Sequence, residues 1–292
     1  MFLRELGHAV TVQEVWDGAS ADAMISLHAR RSHDSITRYA EAHPQSPLIV
    51  ALTGTDLYRD IQSDSDAQES LELATRLIVL QEAGLAELEP RYLDKTRVVY
   101  QSAEPVKRGT PSETRFDVCV IGHLRAEKDP FRAALATGLL RNASRIHVTH
   151  AGGAREGKFA SEATSLMQRN PRYEWIGEVS QQAVRDLLSR AHLLVQSSYL
   201  EGGANTISEA LASSVPIIAS NIPGNVGILG YDYPGYYPPG DEIALARLLE
   251  RAETDTAFYK LLETRCEAFR PLALPNHERE ALRVLIEELV EI

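Results

Sequence analysis

Two carboxylates, Glu201 and Glu209, flank a glycine pair in the stretch SSYLEGGANTISEALASSVPIIASNIPGN, which runs from Ser197 to Asn225. The apolar run HLLVQS, 192–197, predicts a strand, and the glycine turn after it leads into a helix over 205–213 with Asn205 or Thr206 as its cap. The first-turn N–H groups of such a helix lack partners within it and form a seat for an anion. Gly202 and Gly203 let the backbone approach that anion with no Cβ in the way, and the two carboxylates can accept hydrogen bonds from hydroxyl groups beside it. An anion between two polyols is a sugar nucleotide. The plainer reading is a turn shaped by glycine, with Glu201 solvated and Glu209 facing the helix dipole.

A second motif favours the first reading. IGHLRAEKDP, 121–130, stands at the end of the predicted strand FDVCVI, 116–121, and supplies His123, Arg125 and Lys128. The whole chain carries a formal charge of −11 over 292 residues. That balance argues against nucleic acid or an anionic membrane as partner, because both need a basic footprint. Any anion must be met by a local cluster of this kind. A further basic set comes from SLHARRSHDSI (His28, Arg30, Arg31) and LTGTDLYRDI (Arg59), at two predicted strand ends. It suits a small tetrahedral anion. Alone, HARRS reads as a solvated loop, and Asp56 as a helix N-cap at the start of LYRDI.

The elements that must position these residues follow parallel α/β grammar, short apolar runs alternating with helical patterns. Strands are predicted at 9–12, 23–27, 48–52, 76–80 and 97–100, then at 116–121, 145–150, 173–177, 192–197 and 216–220. The first-half helices fall at 34–42, 66–75 and 82–88, and the later ones near 130–140, 160–168, 180–190, 205–213, 241–251 and 255–269. SAEPVKRGTPSETR, 102–115, is rich in Pro, Ser, Thr and charge and separates the two blocks. The expected organisation is an N-terminal Rossmann-like acceptor domain (1–103), a linker (104–115), a C-terminal Rossmann-like donor domain (116–272) and an amphipathic helix (273–292) returning to the first domain. Asn276 is its predicted cap, with apolar residues at 282, 285, 286 and 289. Two such domains facing across a cleft place ligands beyond the carboxyl ends of their strands. Cys119 and Cys266 offer neither a disulfide framework nor metal spacing, no membrane-length apolar run occurs, and MFLRELGHAV lacks a signal peptide's apolar core. A cytoplasmic protein is expected.

The spacing of Glu201 and Glu209, the loop from Gly122 to Lys128 and YYPPGDEIALARLLERAETD after IIASNIPGN resemble the retaining glycosyltransferases of family 4, which have the GT-B fold. The resemblance spans nearly the whole second domain. It implies that Glu201 contacts the donor sugar, Glu209 the ribose, and Gly202, Gly203, Asn205 and Lys128 the diphosphate, while Gly177 lines the base pocket. The family's arginine after the loop glycine is His123 here, and Arg125, two residues on, is expected to supply its charge. The family's histidine after an N-domain strand is replaced by Thr53, Gly54, Thr55 and Asp56. The family opens with a strand and a glycine loop before the helix ending in LGHAVTV, so the first strand of the N-terminal domain is expected to be missing from this chain.

SLHARRSHDSI, LTGTDLYRDI, VIGHLRAEKDPFRAA, EGGAN and IPGNVGILGYDYPGYYP together look like the selenosugar synthase branch of selenoneine biosynthesis. That resemblance implies a carbon–selenium bond formed between a UDP-sugar such as UDP-N-acetylglucosamine and selenophosphate. Glu201, Lys128 and Arg125 would serve catalysis, and His28, Arg30, Arg31, Thr53, Thr55, Asp56 and Arg59 would bind the acceptor. No metal or other cofactor is expected, since Lys128, Arg125 and a helix dipole would meet the diphosphate charge. A selenophosphate synthetase and a selenoneine synthase would be functional neighbours. The alternatives are an ordinary family 4 enzyme with a hydroxyl acceptor and a catalytically silent sugar-nucleotide-binding protein.

Overall fold

The computed structural model describes residues 1–290. The chain folds as two compact units: one comprises 1–101, the tripeptide 201–203 and the helix that starts at Pro275, and the other comprises 102–200 and 204–274.

The first unit is built on four parallel strands, β1 (Met24–Leu27), β2 (Leu48–Ala51), β3 (Arg76–Val79) and β4 (Thr96–Val98), in that spatial order. Side chains on a strand alternate between faces. Leu48 and Val50 of β2 enter one core with Ile36, Tyr39 and Leu71, while Ile49 and Ala51 enter another with Ile78, Leu285 and Leu289. Covering both faces is what allows β2 to be an unbroken apolar run. The second face is covered by the helix Pro275–Val290, and each aliphatic side chain buried there contributes roughly 1.5–3 kcal/mol. Glu288 fastens that helix, accepting hydrogen bonds from Arg97 Nε at 3.0 Å and Arg76 Nε at 3.3 Å. Asn276 lies inside its first turn, where Oδ1 accepts from Arg279, and is not the cap.

AVTV, 9–12, is not a strand. Among the described residues neither sheet includes it, and Val12 is 83% exposed. Alternating apolar residues become a strand only where a neighbouring edge takes up their hydrogen bonds. Trp16 is the docked residue of this segment, edge-on to Tyr39 at 5.4 Å.

The second unit carries β5 (Phe116–Ile121), β6 (Ile146–Ala151), β7 (Tyr173–Trp175), β8 (Leu193–Gln196), β9 (Ile217–Ser220) and β10 (Tyr236–Tyr237), all parallel, in the order β10-β9-β8-β5-β6-β7. The chain leaves β5 toward β6 and β7, then returns to β5's other edge as β8. The order therefore reverses between β5 and β8, and the crevice beyond their carboxyl ends is where ligands sit in such sheets. Residues 102–115 hold no helix or strand and run along this unit: Val106 N–H donates to Ser213 Oγ, Arg108 to Leu188 O and Gly109 N–H to Ser189 O. The helix Pro223–Leu229 and the short β10 had no counterpart in the sequence pattern. No helix among the described residues is long and apolar enough to cross a membrane.

Candidate functional site

In the second unit the strand-end loops are laced together by backbone hydrogen bonds. Gly122 N–H donates to Ala151 O, Leu124 N–H to Gly153 O and Gly152 N–H to Gly177 O, all within 2.7–2.9 Å. Gly177 has φ 73°, a left-handed conformation that glycine adopts without steric cost. Trp175 Nε1 donates to Gly152 O at 2.8 Å, fixing the indole under this lacing. A pocket at the switch between β5 and β8 is lined by Gly122, His123, Lys128, His150, Gln196 and Ser197, among others.

The loop from Gly122 to Asp129 is held from below. Ser197 Oγ is 3.0 Å from Lys128 O and 2.9 Å from Asp129 O, and Tyr199 N–H donates to Glu127 O. Asp129, at φ 44°, ends the loop and accepts from Arg132, which also reaches Glu242. Those two carboxylates hold the Arg132 pKa above its ordinary value against the opposing effect of burial. His150 is buried between Tyr173 OH and Gly122 O, and desolvation pushes its pKa down to about 4. It is neutral at pH 7.

The helix Asn205–Ala212 starts after Ala204, with no side-chain cap. Asn205 and Thr206, expected as caps, are used otherwise. Asn205 Nδ2 donates to Glu209 Oε1 at 3.3 Å, and Thr206 Oγ1 donates to Gln196 Oε1 at 2.9 Å. Burial raises the Glu209 pKa, with only Arg185 opposing it. A carboxylate desolvated this way gains from hydroxyl donors brought to it.

In the first unit, Asp56 is fully buried at the start of a π-helical turn, Asp56–Asp60. Its carboxylate accepts from Thr53 N–H (2.8 Å), Thr53 Oγ1 (2.7 Å) and Ala29 N–H (2.9 Å), joining the loops after β1 and β2. His28 sits at φ 74°, buried, with Nδ1 accepting from Arg31 N–H at 3.3 Å and Nε2 at 2.8 Å from Thr55 Oγ1. Desolvation lowers its pKa, with Asp56 opposing. The ring is neutral, carries its proton on Nε2 and donates it to Thr55. Arg30 Nε lies 3.0 Å from Asp60 Oδ2, while Arg31 and Arg59 are exposed. The expected basic set is therefore charge-balanced in part. Gly202 and Gly203 pack in this unit: a Cβ on Gly202 would stand 2.5 Å from Thr53 C, and one on Gly203 would stand 2.7 Å from Leu80 Cβ. Close packing alone requires both glycines.

A family model for glycosyl transferases group 1 matches residues 103–268, more than half of the 292-residue chain. The chain belongs to that family. The putative teichuronic acid biosynthesis glycosyltransferase TuaC of Bacillus subtilis (strain 168) is 30% identical over 145 residues, which are 50% of this chain and 34% of that protein. Glycosyltransferase 1 domain-containing protein 1 of Xenopus tropicalis is 26% identical over 129 residues, 43% of this chain and 37% of that protein. The chain thus matches about a third of the length of these relatives. The crystal structure of Anabaena Alr3699/HepE in complex with UDP-glucose superposes with a TM-score of 0.74 at 16% identity, covering 93% of this chain and 79% of that one. The fold is that of the GT-B glycosyltransferases.

Within this group 1 glycosyltransferase chain, His123 and Lys128 follow the carboxyl end of β5, Gly177 follows that of β7, and Asn205 and Glu209 lie on the helix that comes after β8. His28, Arg30 and Arg31 lie on the loop after β1, Thr53 on the loop after β2, Thr55 at the cap of the π-helical turn and Asp56 and Arg59 within it, all in the unit that also holds the tripeptide Glu201–Gly203. Arg125, expected to supply charge beside His123, is directed to Glu127 at 3.9 Å. The guanidinium beside His123 is that of Arg155, 3.0 Å from Nε2. Its signal was the Gly-Gly-Ala-Arg that follows β6. Asn225, whose role the sequence left open, is fully buried and ties its helix to Ser220.

Proposed function

We propose that this chain transfers a sugar from a UDP-sugar, with UDP-N-acetylglucosamine as the expected donor, to selenophosphate, forming a carbon–selenium bond. The switch-point pocket, Lys128 and the half-buried Glu209 support the nucleotide part of this reading. HepE, a protein of the same fold, has been captured with UDP-glucose.

The acceptor class is carried by one observation. His28, the imidazole of the first unit's loop cluster, has Nδ1 occupied by Arg31 N–H and its proton on Nε2. It is a donor and not a base. Asp56 spends its oxygens on three internal hydrogen bonds, and Asp60 faces Arg30. A hydroxyl acceptor has a proton to lose to a positioned base, whereas selenophosphate arrives anionic with a soft, nucleophilic selenium. The bond from the anomeric carbon to the UDP oxygen breaks with its electron pair leaving on UDP, and a selenium lone pair forms the new bond. Water then cleaves the phosphorus–selenium bond, giving phosphate and a selenol sugar. Lys128 and the helix Asn205–Ala212 would stabilise the departing diphosphate.

UDP release should be faster with selenophosphate than with any member of a panel of sugar and lipid alcohols. Glu209→Gln should weaken UDP about tenfold to a hundredfold, the loss of charge-assisted bonds to ribose, while Glu201→Gln spares UDP. Release that is faster with an alcohol returns the chain to ordinary hydroxyl transfer. UDP bound without release under every acceptor makes it a silent binder.

A further inference from the structure

We propose that Arg155, on the loop after β6, pairs with His123 to grip the diphosphate of the donor. The inference rests on the nucleotide reading above and adds a residue to it. Gly153 N–H donates to His123 Nδ1 at 3.1 Å, which places the ring's proton on Nε2. Arg155 Nη2 stands 3.0 Å from that same Nε2. A guanidinium N–H and an imidazole N–H thus face one another, donor against donor. Two such donors are satisfied together by one acceptor lying to the side of the line that joins them. With a fixed positive charge on one of them, the acceptor of choice is an anionic oxygen.

The surroundings fit that occupant. His123, one member of the pair, lines the switch-point pocket with Lys128 and Ser197. Leu124 and Ala154 are bridged in parallel and Gly153 O accepts from Leu124 N–H, so the two loops carrying the pair are rigidly joined. Glu178 is 3.8 Å from Arg155, and both side chains are more than half exposed, at 63% and 51%. An ion pair that open contributes little, so a multiply charged ligand displaces it at small cost. Arginine's planar fork suits two oxygens of a phosphate at once.

The 292-residue chain is titrated with UDP by calorimetry and with uridine by saturation-transfer NMR. Arg155→Ala should lower UDP affinity about tenfold to a hundredfold, leave uridine binding unchanged and leave the unfolding temperature unchanged, while Arg155→Lys recovers part of the loss. Unchanged UDP affinity in Arg155→Ala, with wild type binding UDP, overturns the inference and leaves the nucleotide reading standing. Equal loss for UDP and uridine also overturns it, since the residue would then shape the loop. Wild type that binds no UDP overturns both.

Discussion

Gly152→Ala will unfold well below the wild type and lose nucleotide binding. An added Cβ would stand 1.8 Å from Gly122 O, 2.4 Å from Gly122 C and 2.9 Å from His123 N. These are backbone atoms, and they cannot step aside as a flexible side chain would. Gly122 is tied to Ala151, Gly152 to Gly177 and Leu124 to Gly153, so moving one loop breaks the bonds of its neighbours. Relieving the clash costs about 3–5 kcal/mol, which lowers the melting temperature by roughly 10 °C in a chain of this size. Gly157→Ala is the control, because nothing lies within 4 Å of its added Cβ. It should be neutral or stabilising by up to about 1 kcal/mol. Circular dichroism melts check both, and a Gly152→Ala melt indistinguishable from that of Gly157→Ala would contradict the lacing.

Stability will fall as the solution is acidified from pH 7 to pH 5. His150 has its pKa lowered from 6.5 to about 4 by burial, so the folded state refuses a proton that the unfolded chain accepts. The stabilisation is therefore complete above pH 6.5 and is lost progressively as pH falls toward 4. His150 alone accounts for about 2 kcal/mol between pH 7 and 5. Burial moves His28, His147 and His192 the same way and adds to the slope. Urea unfolding at pH 7, 6 and 5 measures it. His150→Gln should be less stable at pH 7 but lose less on acidification, and an unchanged slope would assign the effect to other groups.

Much of the second unit was legible because β8 and β9 are buried at every position and β5 at most of them. FDVCVI ends where β5 ends, and the runs behind β8 and β9 differ from the strands only at their ends. A parallel strand covered on both sides must be apolar throughout, and that pattern survives without context. AVTV failed for the opposite reason, since a strand needs a partner edge that its own residues do not encode. The caps failed because polar side chains choose among competing partners: Thr206 turns to Gln196, and Asn205 to Glu209. The charge around the site was visible as a set but not as pairs. Arg125 and Arg155 lie 30 residues apart in sequence, on loops after neighbouring strands, and only the β5–β6 pairing says which one meets His123. The sequence around Gly202 and Gly203 points to an approach to an anion, whereas their packing against Thr53 and Leu80 depends on contacts distant in sequence.

One measurement reaches the identity of the acceptor directly. Purified protein, UDP-N-acetylglucosamine and selenophosphate are incubated together and the products read by mass spectrometry. A sugar product bearing selenium's isotope pattern, absent when the protein is omitted, is the predicted result. Hydrolysed donor alone, across several UDP-sugars, would contradict it.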